Sequence, residues 1–156
     1  MKKFIIIFFI LFINIDIFSL VNSIQLNKRF TNFGPCPSGD GAENSFLIAL
    51  QPDPPPINGG DQEIDVSLIL NNGIIDTGSQ YFIGFFDNTG AVVAPNITLD
   101  FCAEQGGTCP FKPLSSLIQT VTVQFPSTLP TSYNIVMEII DSTNNIIACT
   151  TGAVNS

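Results

Sequence analysis

The sequence predicts an all-β fold in which two β-sheets pack face to face as a sandwich. Short segments rich in Ile, Val, Phe and Thr recur along the chain, separated by clusters of Gly, Pro, Asn and Asp. No stretch sustains apolar residues at helical spacing. About seven short strands with regularly spaced turns are typical of a two-sheet sandwich.

The first two predicted strands are separated by a proline-rich loop. Residues 44–51 (NSFLIALQ) place Phe46, Ile48 and Leu50 on one face. The stretch PDPPPINGG that follows is excluded from a central strand because proline has no N–H for the ladder. The next segment, DQEIDVSLILN, alternates, with its apolar face formed by Ile64, Val66, Leu68 and Leu70.

The second half of the chain predicts two hairpins. YFIGFFDNTGAVV turns at residues 87–90, and the strand NITLDFC then leads into a loop with two cysteines. LIQTVTVQF forms a further strand, and YNIVMEIIDSTNNIIACTT turns at residues 142–145. Residues 24–156 number 156 − 23 = 133, a normal size for one domain, so one domain is expected, and the sequence contains no internal repeat.

The N-terminal residues predict a secretory signal peptide. Two lysines precede a long apolar run, and residues 21–23 are suited to cleavage. The alternative is an uncleaved anchor, but Asn14 and Asp16 interrupt the run before the roughly 20 residues that a spanning helix requires. We therefore expect a signal peptide at residues 1–23 and a domain at 24–156, either secreted or in an endolysosomal or vacuolar lumen.

The charge balance excludes nucleic-acid binding. Without residues 1–23 the chain has three basic and twelve acidic side chains, a net charge of −9, and no basic surface to displace counterions. Stable electrostatic docking on anionic lipid at neutral pH is disfavoured for the same reason. The chain contains no histidine, and the cysteines are not arranged in CxxC pairs, so neither a metal nor another cofactor is expected.

The four cysteines, at positions 36, 102, 109 and 149, are expected to be paired in an oxidising compartment. The C-x6-C spacing of Cys102 and Cys109 differs from that of a thioredoxin-type redox centre. These two residues flank a short turn and close easily on each other, which would leave Cys36 for Cys149. Four cysteines nevertheless allow three connectivities, and the spacing leaves them open.

The order of these features resembles the ML lipid-recognition domain family. The shared features are an early Cys-Pro, a proline-rich stretch after the first strand, DFCAEQGGTCPFKP, and a closing YNIVMEIIDSTNNIIACT. The most specific part is the loop from Cys102 to Lys112 combined with Cys149 after the last turn. That family includes the soluble Niemann-Pick type C sterol carrier and, closer in overall character, phosphatidylglycerol/phosphatidylinositol transfer proteins of fungi and other simple eukaryotes. The resemblance covers about Cys36 to Thr150.

The resemblance implies an immunoglobulin-like sandwich whose sheets are splayed to hold a lipid in an apolar cavity. It also implies disulfides between Cys36 and Cys149 and between Cys102 and Cys109. The chain departs from the family in one respect: many members carry a third disulfide near the first strand, and no cysteine lies between Cys36 and Cys102 here. We therefore expect that region, and the ligand entrance beside it, to be shaped differently.

The inward faces of the strands supply the predicted lipid-binding wall. Glu138 marks the solvent face of its strand, so its odd-numbered neighbours are assigned to the interior. Periodicity alone also fits a closed, dry core made of the same residues. The candidate residues are Phe46, Ile48, Val66, Leu68, Phe85, Leu99, Phe101, Phe111, Val121, Val123, Ile135, Met137 and Ile139.

Two further positions are functional candidates outside the wall. Lys112, next to Phe111, is a head-group candidate, because its ammonium group can meet a phosphate; the alternative is a solvated lysine at the end of a turn. The triplet Asn96-Ile97-Thr98 is a glycosylation sequon.

The function expected from the resemblance is a non-enzymatic, monomeric carrier of phospholipid or sterol with transient membrane contact. The alternative from another class is a secreted immunoglobulin-like recognition module without a lipid ligand, because this fold does not fix function. An enzyme is poorly supported. No histidine is present for a triad, and a glycosidase pair such as Asp87 with Glu138 is the remaining option.

Overall fold

A computed structural model describes residues 31–104 and 109–155 of the chain. The predicted signal peptide at residues 1–23 lies outside the described residues. The strands are β1 (Asn32–Pro35), β2 (Ser45–Gln51), β3 (Gly60–Leu70), β4 (Gln80–Phe86), β5 (Val92–Asp100), β6 (Ser115–Phe125), β7 (Ser132–Ile140) and β8 (Ile146–Asn155), and one helical turn, α1, spans Phe101–Glu104.

The strands form two antiparallel sheets, which confirms the predicted fold class. One sheet has five strands in the order β1-β8-β7-β4-β5, and the other has three in the order β2-β3-β6. The backbones of the two sheets approach each other most closely where β2 packs against β1 and β8. Apolar side chains at alternate positions line the space between the sheets.

Both predicted hairpin turns are present, and they have the same construction. In the first, Asp87 Oδ1 accepts hydrogen bonds from the N–H groups of Thr89 and Ala91 at 2.8 and 2.9 Å. In the second, Asp141 Oδ1 accepts from the N–H groups of Thr143 and Asn145, each at 2.8 Å. Gly90 and Asn144 occupy the left-handed position of each loop, with φ of 85° and 66°. An aspartate that bonds the backbone two and four residues later thus sets each turn.

Two local details differ from the sequence prediction. Phe101 and Cys102 were expected at the end of a strand, but β5 ends at Asp100 and the two residues begin α1. The cause is local, because Asp100 Oδ1 accepts the Ala103 N–H at 2.9 Å and so caps the turn. Strand β1 was not predicted, since its four residues, NFGP, lack an alternating pattern.

Both disulfides have the connectivity that the resemblance implied. Cys36 is bonded to Cys149 and Cys102 to Cys109, with Cα–Cα distances of 5.6 and 5.7 Å. The first ties the segment after β1 to β8, and the second closes the loop after α1. No helix among the described residues is long and apolar enough to cross a membrane.

Candidate functional site

The space between the sheets contains all the predicted lipid-wall residues. Ten of the thirteen are buried, and the other three, Ile48, Leu99 and Phe111, are partly buried and pack against the same apolar cluster. Glu138 lies on the opposite face from Met137 and Ile139, as its position in the alternation required. The wall therefore consists of side chains that face one another, and contact with lipid remains a prediction for each.

Aromatic rings line the end of the interior next to the Cys102–Cys109 loop. The Tyr81 and Phe101 ring centroids are 4.9 Å apart, and Phe101 and Phe111 follow at 6.3 Å. Phe111 is held by two backbone hydrogen bonds with Ile75, at 2.7 and 3.0 Å. The row of rings thus runs from the fully buried Tyr81 to the partly exposed Phe111. The row of rings therefore approaches the surface at the disulfide-loop end of the interior.

A polar contact crosses the interior beside these rings. The side-chain amide of Gln119 on β6 donates a hydrogen bond of 2.5 Å to the Tyr81 hydroxyl on β4. Tyr81 belongs to the five-stranded sheet and Gln119 to the three-stranded sheet, so this hydrogen bond joins the two sheets. Sequence reasoning missed both residues, although Gln119, a polar residue at an inward position of an alternating strand, was a usable signal.

A second polar group lies toward the opposite end of the interior. Gln62 is fully buried, and its amide nitrogen donates to the carbonyls of Pro52 and Glu63 at 3.0 and 3.2 Å. Its Oε1 has no hydrogen-bond partner among the described residues. A buried acceptor of this kind can receive a hydrogen bond from water or from a ligand hydroxyl.

Lys112 follows Phe111 at the aromatic end and is exposed. It is the one basic side chain in residues 31–104 and 109–155. A positive charge is therefore available beside the partly exposed ring of Phe111. Asn96 of the sequon is exposed on the edge strand β5, where a glycan is sterically possible.

A cleft of about 530 Å³ lies on the outer face of the five-stranded sheet, away from the predicted lipid wall. Phe82, Phe86 and Val136 line it together with Asp87 and Glu138. Burial, and then the nearby Asp40 charge, raise the pKa of Glu138, whereas hydrogen bonds from Thr89 and Ala91 lower the pKa of Asp87.

The register of this sheet fixes the backbone positions of Asp87 and Glu138, the two carboxylates considered above as a glycosidase pair. Glu138 pairs with Phe82, five residues along β4 from Asp87, so the two backbones are about 16 Å apart at roughly 3.3 Å per residue. Glycosidase carboxylates lie about 5 to 9.5 Å apart, measured between the carboxyl groups, and both side chains here line the same cleft. However, Asp87 Oδ1 already accepts three hydrogen bonds in its turn. Among the described residues, no group of three or more Cys, Asp or Glu is arranged to hold a metal ion.

A family model described as "ML domain" matches residues 31–155. A comparison with curated proteins found no match to this chain. Among solved structures, a Niemann-Pick type C2 protein from the Japanese carpenter ant is similar, with a TM-score of 0.55 and 16% identity over 79% of this chain and 97% of that chain. Chicken MD-1, solved in complex with lipid IVa, is similar with a TM-score of 0.52 and 14% identity over 79% of this chain and 87% of that chain. At these identities the two structures show a shared fold.

Proposed function

Because the chain belongs to the ML-domain family, we propose that it is a lipid-binding carrier that moves a phospholipid or a sterol between membranes. The lipid would lie between the two sheets, with its apolar part against the wall residues. The family match over residues 31–155 carries this proposal. The solved complex of chicken MD-1 with lipid IVa supports it, because that protein of the same fold holds a lipid.

The apolar interior provides what a carrier of this kind requires energetically. A chain of about 16 methylenes costs on the order of 13 kcal/mol to expose to water, at roughly 0.8 kcal/mol per methylene. A carrier must therefore surround the chain with apolar side chains. Ile135, Met137 and Ile139 on β7 face Val66 and Leu68 on β3 across the space between the sheets and are suited to this contact.

The position of Lys112 supports a phospholipid as one cargo class. A phospholipid whose tails lie between the sheets would place its phosphate near the end marked by Phe111, and an ammonium group there is a suitable partner. A sterol would present one hydroxyl instead. We include phosphatidylglycerol and phosphatidylinositol with sterols as candidate cargoes, and propose that the carrier acts as a monomer, without a cofactor or a catalytic step, in the secretory pathway.

Native mass spectrometry of the secreted protein, followed by organic extraction, tests the proposal. A phospholipid or sterol bound one to one would support it and name the cargo class. A lipid-free mass, together with no uptake of a fluorescent phospholipid or sterol, would contradict it and favour a protein-recognition module with a closed core.

A matched pair of variants makes this test specific for the interior. Met137 faces the interior and is buried, whereas its neighbour Val136 faces the outer side of the same strand. Met137→Trp should fill part of the lipid space and lower the bound fraction at least tenfold, while Val136→Trp should leave it unchanged. Circular dichroism spectra like that of the unsubstituted protein would establish that both variants fold. Equal lipid binding by the two folded variants would place the lipid elsewhere.

A further inference from the structure

Four large aliphatic side chains on and beside the outer face of the three-stranded sheet point into solvent. Leu114 and Ile118 are 88% and 85% exposed, and Leu47 and Ile69 are 61% and 47% exposed. On the central strand β3, Ser67 pairs with Leu47 of β2 on one side and with Ile118 of β6 on the other. Ile69, two residues further along β3, pairs with Ser116 of β6. Ser116 lies midway in sequence between Leu114 and Ile118. The strands are about 4.8 Å apart, so the four side chains lie close enough to form one surface. We call it the aliphatic face.

Leu114 occupies this surface in an unfavourable backbone conformation. Its φ is 67°, in the left-handed region that residues with a Cβ rarely adopt. Its N–H donates to the Leu70 carbonyl at 2.6 Å, which fixes the conformation at the end of β3. The side chain is nevertheless almost fully exposed, so it gains little from burial within its own chain. Both features disfavour a leucine here in water alone.

Charge is segregated along the same outer surface. The outward positions of β3 run Asp61, Glu63, Asp65, Ser67 and Ile69, so the acidic half of the strand is followed by a neutral one. Asp61 is about 26 Å from Ile69 at roughly 3.3 Å per residue. Lys112 precedes Leu114 by two residues at the neutral end. A surface that met the aliphatic face would therefore keep Asp61 and Glu63 at a distance, while Asp65, about 7 Å along β3 from Ser67, and Glu43, beside Asn71, border the face.

The aliphatic face also borders the aromatic end of the interior. Leu114 follows Phe111 by three residues, and the hydrogen bonds of these two residues attach the segment to Leu70 and Ile75. Phe111 in turn packs against Phe101. A surface seated on the aliphatic face would lie next to the point where the interior approaches solvent.

We propose that the aliphatic face docks the protein on a lipid bilayer, with Leu114 and Ile118 entering the interfacial layer and the acidic half of β3 directed toward water. The aliphatic face would be the surface through which the proposed carrier meets a membrane. The proposal rests on the carrier function only for the reason why the protein docks. A bilayer fits better than a second copy of this chain, because the net charge of 3 − 12 = −9 on residues 24–156 makes two copies repel. A phosphatidylcholine bilayer has no net charge, and apolar side chains beside a lysine are typical of interfacial binding.

Flotation with phosphatidylcholine vesicles tests the docking surface. The double variant Leu114→Ser/Ile118→Ser should lower the vesicle-bound fraction of the full secreted chain at least tenfold. The matched control is Val92→Ser/Ile57→Ser, which removes side chains that are 60% and 49% exposed at sites outside the face. The control should bind vesicles as the unsubstituted protein does. Circular dichroism and thermal unfolding establish that both variants fold.

Three results would overturn the proposal. The unsubstituted protein could fail to float, the two double variants could lose binding equally, or the Leu114/Ile118 variant could bind normally. Sedimentation adds a fourth: if the unsubstituted protein is a dimer and this variant a monomer, the face joins two copies.

The docking proposal and the carrier function can be tested separately by delivering a fluorescent lipid to the protein from cyclodextrin. This delivery requires no vesicle, so it measures lipid binding without membrane docking. The Leu114/Ile118 variant should load normally from cyclodextrin yet transfer from vesicles at least tenfold more slowly. No loading of the unsubstituted protein would contradict the carrier function, while flotation would still test docking.

Discussion

The Gln119 amide and the Tyr81 hydroxyl join the two sheets by one hydrogen bond of 2.5 Å. Tyr81 is 1% exposed and also packs against Phe101, so its hydroxyl is held away from water. This contact fixes the separation of β4 and β6 at one point of a largely apolar space. The first prediction follows from it.

Tyr81→Phe and Gln119→Leu should each lower the free energy of unfolding by about 1 kcal/mol, the net contribution of a typical hydrogen bond. Because both changes remove the same bond, the double variant should be less destabilised than the sum of the two, with a coupling of about 0.5 to 1.5 kcal/mol. Urea unfolding monitored by circular dichroism measures all four proteins. Additive effects within error would mean that the bond contributes nothing to stability.

Asn44 is predicted to be the most sensitive polar position. Its amide donates to the carbonyls of Asn72 and Ile147 at 3.1 and 2.7 Å, and its Oδ1 accepts from the N–H groups of Asn71 and Asn72 at 2.7 and 2.9 Å. Asn44→Ala leaves these partly buried backbone groups without partners, at about 1 to 3 kcal/mol for each group that stays unsatisfied. We expect a loss of about 2 to 4 kcal/mol in urea unfolding. Asn58→Ala, in an exposed loop, is the control and should change stability by less than about 0.5 kcal/mol.

The two disulfides should differ in their contribution to stability. Their sequence separations are 113 and 7 residues, and chain entropy gives about 5 kcal/mol for the longer loop and about 2 to 3 kcal/mol for the shorter. Cys36→Ala/Cys149→Ala should therefore be the more destabilised of the two double variants. Thermal unfolding in the absence of reductant compares them. The reverse order would show that the Cys102–Cys109 bridge stabilises the folded state beyond its loop entropy.

The Asp141 turn should make stability depend on pH. Hydrogen bonds from Asn145 and Thr143 lower the pKa of Asp141 from 3.8 to about 2. Because the folded pKa is depressed, this stabilisation is complete above about pH 3.8 and is lost as the pH falls to about 2. Asp141→Asn should therefore melt below the unsubstituted protein at pH 6, with a difference that shrinks between pH 4 and 2. Ser142→Ala in the same loop should shift melting equally at every pH, and an Asp141→Asn difference equally independent of pH would contradict the assignment.

Lipid transfer should be faster in acid. The chain is strongly acidic, so it is repelled by anionic membranes at neutral pH, and protonation of carboxylates reduces that repulsion. Burial, and then the nearby Asp40 charge, raise the pKa of Glu138, so this carboxylate contributes to that protonation as the pH falls. Transfer between phosphatidylglycerol vesicles should increase from pH 7 to pH 5, with a smaller change for phosphatidylcholine vesicles. A rate that stays flat or falls with acid on the anionic vesicles would contradict this mechanism.

Alternation and turn chemistry were enough to predict the sandwich. The inward and outward faces of β3 and β7 follow from a side-chain period of two, and the Asp-x-Thr turns are set by contacts within five residues. The burial of the proposed wall residues could be predicted for the same reason, because they occupy inward positions, whereas their contact with lipid stays a prediction. Helix α1 was missed because the Asp100 carboxylate bonds to Ala103 and ends the strand one residue before Phe101.

Features that depend on distant segments could not be predicted. Asn44 bonds to groups 27, 28 and 103 residues away, and Gln119 reaches Tyr81 across 38 residues. The aliphatic face was also missed, because Leu47 and Ile118 become neighbours only through the register of β2 and β6 on β3. Single-strand periodicity assigns each of them to solvent and gives no sign that they lie together.

The bridge between Cys36 and Cys149 encloses almost the whole folded chain, since the two residues are 113 positions apart. A single proteolytic cut anywhere between them leaves two fragments that are still covalently joined. A cut inside the loop after α1 is held a second time by Cys102 and Cys109. In a compartment rich in proteases, a nicked molecule would thus keep its two fragments covalently joined until the bridge is reduced.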